Sequence, residues 1–443
     1  MKTKKIVRWW HIPLAVLALA LLAGGGAAIW LRSVMPWKNI AAMTSNVKLP
    51  LSASQRERIT GGERDYSTLP EPLVMADGTA VKTTRAFDAR RAEIIKLFET
   101  HVYGTLPKGG FNTSFELLEE HPVFGGTAVC KQVKLTVSIG KGNSEALLLL
   151  YLPLTGQPAP VVLGLNFGGN HTVFDDSAIL PSRDYDPTGK LEKERGEKTE
   201  RWAIEDAVTR GYGIATIYCN DFAPDDAKAY GSRVISLFDE PSFKAVGAWA
   251  FGLMRGVDYL VQDAAVDAGR IVLIGHSRLG KAALWAAAND ARVALVISND
   301  SGNTGASLSR SNHGETVASI NAIFPHWFCD KYKEYAAREN ELPVDQNLLL
   351  ASIAPRQVYV ACAQEDLWAD PQGAWNSLLA SRDAFALYGL DTIDPALPEG
   401  ATQPPEGASY ATESMGYHVR SGWHDVQKED WSRYLSYMDR FLK

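Results

Sequence analysis

A serine held between two glycines is the residue of this sequence best placed to do chemistry. Ser277 stands in Gly275-His276-Ser277-Arg278-Leu279-Gly280. An apolar run, 271–274, precedes it, and an Ala- and Leu-rich run of helical pattern follows it to 288. Strand, sharp turn and helix, with serine at the apex, is the setting of a nucleophile elbow. The glycines let the helix start and neighbouring backbone come close to a strained residue. A plain glycine-rich turn with an incidental serine is the competing reading. A serine hydroxyl is a weak nucleophile until a base takes its proton, and that base needs a carboxylate to orient it.

The elements around Ser277 say where such partners would stand. Residues 86–103 have helical spacing, with Ile94, Ile95, Leu97 and Phe98 on one face. Residues 129–139 alternate, with Val133, Leu135 and Val137 on one side, as in a half-buried antiparallel strand. The apolar runs 146–152 and 161–167 suit strands covered on both faces. Strand and helix then alternate: helix 201–210, strand 213–218, and an amphipathic helix marked by Val246, Trp249, Leu253, Val257 and Leu260. Strands follow at 271–274, 294–298, 358–363 and 417–420, with helices at 373–387 and 428–441. Long loops are expected from 299 to about 348 and over 390–414. This rhythm implies a mostly parallel sheet with helices on both faces, a three-layer αβα sandwich.

In such a sheet, working groups lie just past the carboxyl ends of strands. Asn299-Asp300-Ser301-Gly302 follows the strand after the elbow. Gln364-Glu365-Asp366-Leu367-Trp368 follows the next, and Ser421-Gly422-Trp423-His424-Asp425 follows the last. Serine, acid, histidine is the chain order of an α/β-hydrolase. His424 is the expected general base. Asp366 is the favoured acid, Asp300 the alternative, and both can face the histidine. His418 lies within its strand and reads as a wall residue. Gly168-Gly169-Asn170-His171 follows the strand 161–167 and is expected to give one backbone N–H of an oxyanion hole. The residue after the serine, Arg278, gives the other.

The whole chain bounds the rest. Its 443 residues carry 45 basic and 51 acidic side chains, a net charge of −6, which excludes a nucleic-acid surface built on basic excess. The twelve tryptophans serve a core by default, though some could line a sugar cleft. Lys2, Lys4, Lys5 and Arg8 precede an uncharged run, 12–31. A basic start followed by an apolar run is an export signal, and 20 residues are also enough to anchor in a bilayer if uncleaved. The expected organisation is therefore 1–33 signal peptide or membrane anchor, 34–68 linker or peripheral arm, and 69–443 one catalytic domain. Localisation is periplasmic or secreted, with any membrane contact through that first segment. Cys130, Cys219, Cys329 and Cys362 show no C-x-x-C pairing. No metal or other cofactor is expected: the nine histidines form no ligand motif, and no dinucleotide or Walker motif is present.

The extended elbow Gly275-His276-Ser277-Arg278-Leu279-Gly280-Lys281 resembles the G-[CH]-S-R-x-G-K signature of the glucuronoyl esterases, carbohydrate esterase family 15. Asn166-Phe167-Gly168-Gly169-Asn170-His171, Leu308-Ser309-Arg310, His313-Gly314-Glu315-Thr316 and Phe324-Pro325-His326-Trp327-Phe328 are similar to its bacterial branch. So are Glu365-Asp366-Leu367-Trp368-Ala369-Asp370-Pro371 and Arg420-Ser421-Gly422-Trp423-His424-Asp425. The resemblance runs from about residue 70 to the end. It implies an α/β-hydrolase fold and cleavage of the ester between 4-O-methyl-glucuronic acid on xylan and a lignin alcohol; the protein is expected to be a monomer. It further implies that Arg278 helps hold the oxyanion, and that Lys281, Glu315 and Trp368 bind sugar hydroxyls. Asp300 stands where the family often has glutamate, and Ser301-Gly302-Asn303-Thr304-Gly305 where it often reads Ser-Gly-Cys-Gly-Gly. An acetyl-xylan or other carbohydrate esterase, and an inactive glycan-binding module, stay open as alternatives.

Overall fold

The computed structural model describes residues 64–140, 142–182, 194–310, 312 and 314–442. The segment expected as signal or anchor, most of the expected arm, and His313 lie outside the described residues. Ten strands form one sheet: β1 (Asn112–Val123), β2 (Ala128–Ile139), β3 (Gly142–Pro153), β4 (Ala159–Asn166), β5 (Gly213–Tyr218), β6 (Val266–His276), β7 (Val293–Asn299), β8 (Gln357–Ala363), β9 (Ser409–Ala411) and β10 (Met415–Arg420). They lie in the order β1-β2-β3-β5-β4-β6-β7-β8-β10-β9. From β5 to β10 every neighbour is parallel, while β1, β2, β3 and β9 pair antiparallel at the two sides. This is the expected mostly parallel sheet.

Eight α-helices accompany it among the described residues: α1 (Thr84–Phe98), α2 (Ile204–Thr209), α3 (Ala245–Leu260), α4 (Arg278–Asn289), α5 (Val317–Ile323), α6 (Gln346–Ala351), α7 (Pro371–Ala386) and α8 (Lys428–Phe441). Strand side chains alternate between two cores, as the pleat requires. Val161, Leu163, Ile271 and Leu273 face a large core with α1, α3, α4, α6 and α7. Val162, Val272, Ile274, Leu295 and Ile297 face a smaller one with α2 and α8. That is the three-layer arrangement.

The differences from expectation have physical causes. Strand β1 carries Glu116, Glu119, Glu120 and Pro122 and is largely exposed, so it shows no apolar alternation to read. Proline and charge are what an edge strand tolerates. Helix α3 is not amphipathic in place: only Met254, Asp258 and Tyr259 escape full burial, because it is covered on both sides. The expected loop after β7 contains two short helices, capped by Thr316 and Asp345, whose side chains accept from Ser319 N and Gln346 N. The helix expected to reach 103 changes at Glu99 into a π-turn ending at Tyr103. At the start of the described chain, Arg64 pairs with Asp370 at 2.8 Å, so this end of the expected arm lies against the domain. All four cysteines are buried free thiols. Among the described residues, no helix is long and apolar enough to cross a membrane.

Candidate active site

Ser277 joins β6 to α4 with φ 57° and ψ −131°, a conformation that L-residues reach only under strain. Such strain costs on the order of 1–3 kcal/mol and holds the side chain at the apex of the turn. The turn is too tight for a side chain at Gly275, where a Cβ would lie 2.1 Å from the carbonyl oxygen of Leu279. Ser277 N–H donates to the carbonyl of Asn299 at 2.9 Å, which ties the elbow to the end of β7. As the first residue of α4, Arg278 has a backbone N–H with no intrahelical acceptor.

His424 comes to this turn from the loop after β10. Its ring lies against that of His276, with centroids 4.5 Å apart. Nδ1 of His424 meets Oδ2 of Asp366 at 2.6 Å. Burial would push the His424 pKa down, but the charge and hydrogen bond of Asp366, with Asp300 behind, raise it above the ordinary imidazole value. His276 is the opposite case: burial and the neighbouring His424 hold its pKa far down, so it stays neutral. Asp300, Asp366 and His424 have polar atoms within 4.8 Å of one another, so both candidate acids lie close to the histidine. Their partners differ. Oδ1 of Asp300 accepts from the N–H of Ala363 at 2.7 Å, and Oδ2 lies 3.4 Å from Arg420. Burial and the charge of Asp366 push the Asp300 carboxyl well above the usual range. His418 bonds Asp430 at 2.7 Å and Tyr359 at 3.0 Å inside the wall, as its place in the strand suggested.

Arg420, fully buried, fixes the histidine loop. It bonds Asp430 at the start of α8 at 2.8 Å and the carbonyls of Ser421 and Asp425 at 2.9 and 2.5 Å. Sequence reasoning gave it no task, although it opens the Arg420–Asp425 segment.

Arg278 projects into an aromatic cage. Its guanidinium lies 5.8, 5.1 and 4.8 Å from the ring centres of Phe167, Phe324 and Trp327. Asp225 accepts a hydrogen bond from it, and also from Trp327 Nε1 at 2.7 Å and His326 at 3.0 Å. Burial opposes ionisation of Asp225, yet these donors pull its carboxyl down to about 2. The segment Phe324–Phe328 thus acquires a concrete task, and Asp225 is a residue the sequence reading missed. The loop after β4 also differs in detail. Gly169 donates its N–H to Oδ1 of Asn166 at 2.7 Å, so that donor is already used.

Lys281, one turn into α4, is buried and fully engaged. Its ammonium donates to the carbonyls of Ser301 and Asn303 at 2.7 and 2.5 Å and to Oε2 of Glu315 at 2.7 Å. Burial lowers its pKa against the pull of Glu315. Gly302, at φ 64°, leaves room for that carboxylate, which a Cβ would approach to 2.7 Å. Backbone bonding of Glu315 N–H to the carbonyl of Trp368, at 3.0 Å, joins the two loops. Two buried atoms here have no protein partner: Oε1 of Glu315 and Nε1 of Trp368. One accepts and the other donates.

The family model described as "Glucuronyl esterase, fungi" matches residues 204–389. Carbohydrate esterase MZ0003, from an unknown prokaryotic organism, is 40% identical over 393 residues, covering 85% of this chain and 90% of that protein. A 4-O-methyl-glucuronoyl methylesterase of Phanerochaete chrysosporium is 26% identical over 336 residues, covering 73% of this chain and 63% of that protein. Among solved structures, a promiscuous esterase of carbohydrate esterase family 15 from the marine bacterial metagenome superposes with TM-score 0.77 at 38% identity, over 86% of this chain and 100% of the other. A glucuronoyl esterase from Solibacter usitatus gives TM-score 0.77 at 38% identity, over 85% and 98%. With the elbow, the strand order and these likenesses in agreement, the chain belongs to carbohydrate esterase family 15, the glucuronoyl esterases of the α/β-hydrolase superfamily.

Proposed function

We propose that the chain is a serine carboxylic-ester hydrolase acting on 4-O-methyl-glucuronoyl esters that link glucuronoxylan to lignin alcohols. Ser277 Oγ attacks the ester carbonyl as His424 takes its proton. Asp366 orients the imidazole and stabilises its charged form. Negative charge develops on the carbonyl oxygen only as the bond forms, and Arg278, with its own backbone N–H, meets it there. The C–O bond to the alcohol then breaks, and His424 returns the proton to the departing oxygen. Water repeats the sequence on the acyl-enzyme and frees the acid.

The observation that carries this reading is that the buried Oε1 of Glu315 and Nε1 of Trp368 have no partner, with Glu315 held by Lys281 one turn beyond the strained serine. Buried polar atoms without partners are costly, and a sugar's vicinal hydroxyls both accept and donate. Lys281 supports this pair by holding Glu315 in place. The same reading places the protein outside the cytoplasm, periplasmic or secreted, as a monomer. Any membrane attachment is through 1–33, with 34–68 as a connecting arm and 69–443 as the catalytic domain. The basic cluster before the uncharged run 12–31 supports export.

The test compares kcat/KM on methyl glucuronate with that on an acetylated xylose, using Ser277→Ala as the blank. The uronate ester is expected to be the better substrate. Equal or faster acetate turnover would point to a deacetylase, and no turnover above the blank would leave only a glycan-binding module.

A further inference from the structure

Among the described residues, two clusters of three side chains bring atoms that can ligate a metal within 4.8 Å of one another. One is Asp300, Asp366 and His424, which belongs to the site already described. The other is His121, Cys130 and Asp176, at the β1–β2 side of the sheet.

The sheet register builds this second cluster. His121 on β1 stands directly opposite Cys130 on β2, and Cys130 stands opposite Tyr151 on β3. Residues paired across strands share a face, so imidazole, thiol and phenol form one row. Asp176, from the loop after β4, closes on that row. Its Oδ2 lies 3.0 Å from Nε2 of His121 and accepts from the Tyr151 hydroxyl at 3.4 Å. Its Oδ1 accepts from Ala178 N–H at 2.9 Å, which fixes the carboxylate. Arg195 donates to the carbonyls of Asp176 and Ile179 at 2.6 and 3.3 Å and ties the loop down. Cys130 is fully buried, whereas His121 and Asp176 keep 22% and 16% of their side chains exposed, so an ion has a way in.

An ion pair accounts for His121 and Asp176, but not for a thiol within reach of both. It also leaves Nδ1 of His121 buried without a hydrogen-bond partner, with Oε1 of Glu119 3.8 Å away. A histidine that ligates a metal through one nitrogen turns the other towards a carboxylate, and ligating carboxylates are themselves hydrogen-bonded. Glu119 and Tyr151 stand where those two supports are needed. The donor set selects the ion. Calcium and magnesium take oxygen ligands, so a sulfur excludes them. Copper(I) prefers sulfur throughout, which a carboxylate does not supply. Zinc takes imidazole, thiolate and carboxylate alike. Around a tetrahedral zinc the nitrogen and oxygen ligands stand about 3.3 Å apart, so His121 and Asp176 need part by only about 0.3 Å.

We propose that His121, Cys130 and Asp176 form a zinc site, with water as the fourth ligand. On binding, the Cys130 S–H bond breaks, its proton leaves to solvent and a sulfur–zinc bond forms. Thiolate and carboxylate then cancel the two charges of the ion, which suits a half-buried place. The zinc joins the edge strand β1 and its neighbour β2 to the loop after β4. This site is separate from the catalytic residues and does not depend on the esterase reading.

The experiment titrates the full chain, stripped of metal by a chelator, with zinc and with cobalt(II). Cobalt reports its ligands, because a thiolate adds a charge-transfer band in the near ultraviolet. Wild type is expected to take up one ion per chain, to show that band, and to melt at a temperature that climbs with zinc concentration. Cys130→Ser should abolish the band. Cys130→Ser and His121→Ala should each weaken zinc binding by at least about a hundredfold, and Glu119→Gln, which keeps every ligand, by about tenfold. Asp366→Asn alters the other cluster and should leave the band in place. Should a ligand variant fail to fold, the wild-type spectrum and Glu119→Gln, whose side chain is 45% exposed, still decide. No saturable uptake by wild type, or a cobalt spectrum without the band, overturns the proposal. So does an affinity unchanged in both Cys130→Ser and Glu119→Gln. Binding lost in Asp366→Asn but kept in His121→Ala would put the ion among the catalytic residues and overturn it as well.

Discussion

Asp225 holds the guanidinium of Arg278 from behind, while three aromatic rings close around it. An arginine fixed in this way meets developing charge without first having to reorganise, which is where such groups gain their effect. In the proposed mechanism Asp225 acts through Arg278, which it holds. Replacing it by asparagine should lower kcat on methyl glucuronate by about tenfold to a hundredfold, somewhat less than loss of an oxyanion donor itself. KM should change little, because the ground-state ester carries no charge for Arg278 to meet. The double variant with Arg278→Ala should be no worse than Arg278→Ala alone. Additive losses would show that Asp225 works by another route.

The two aspartates near His424 should separate cleanly. Asp366 bonds Nδ1 of His424 directly, so Asp366→Asn removes the acceptor that sets the tautomer. A loss of about 10⁴ in kcat is expected. Asp300 is pushed towards its neutral form by burial and by Asp366, and its Oδ1 is spent on Ala363 N–H. An asparagine oxygen can accept that same bond, so Asp300→Asn should cost far less. Kinetics on one uronate ester decide, and the reverse ranking would exchange the two roles.

The raised pKa of His424 sets the acid limb of the pH profile. The base must be neutral to accept a proton, so kcat/KM should rise with pH through a value above that of ordinary imidazole. In Asp366→Asn the carboxylate charge is gone while burial remains, and the residual activity should show its limb shifted to lower pH. The stability linkage has the opposite sign. A raised imidazole pKa favours the protonated fold, and that contribution is complete below the unfolded-state pKa and lost as pH rises through the folded one. Limbs that coincide in the two enzymes would show that Asp366 does not govern this titration.

What could be read in advance follows from how locally each feature is determined. The elbow was legible because Gly275 answers a clash with Leu279, four residues away. His424 and Asp366 were legible because each follows an apolar strand whose end fixes its position in space. Asp225 was not, since its meaning depends on His326 and Trp327, about a hundred residues on, folding back over Arg278. Strand β1 was hidden by its polar edge, and the burial of α3 by chain that only the assembled fold lays over it. Lys281 shows the same limit most clearly. The family resemblance suggested a hydroxyl reader, but the carbonyls of Ser301 and Asn303 reach its ammonium only once the loop after β7 has closed.

That arrangement separates Lys281 from Glu315 experimentally. All three ammonium N–H groups have protein acceptors, and the proposed division makes the lysine a brace and Glu315 Oε1 the reader. Lys281→Met leaves a carboxylate buried without its cation, a loss of about 3–5 kcal/mol in such settings. Thermal unfolding should therefore occur at markedly lower temperature in that variant. Glu315→Gln keeps the shape and one acceptor oxygen and removes the charge, so its melting temperature should fall less. Its KM for methyl glucuronate should rise severalfold, with a smaller change on a plain acetate ester that has no sugar hydroxyl to bind. Calorimetry on both variants, with KM on both esters, checks the division. An unchanged melting temperature in Lys281→Met, with the larger KM effect there, would make the lysine the reader instead.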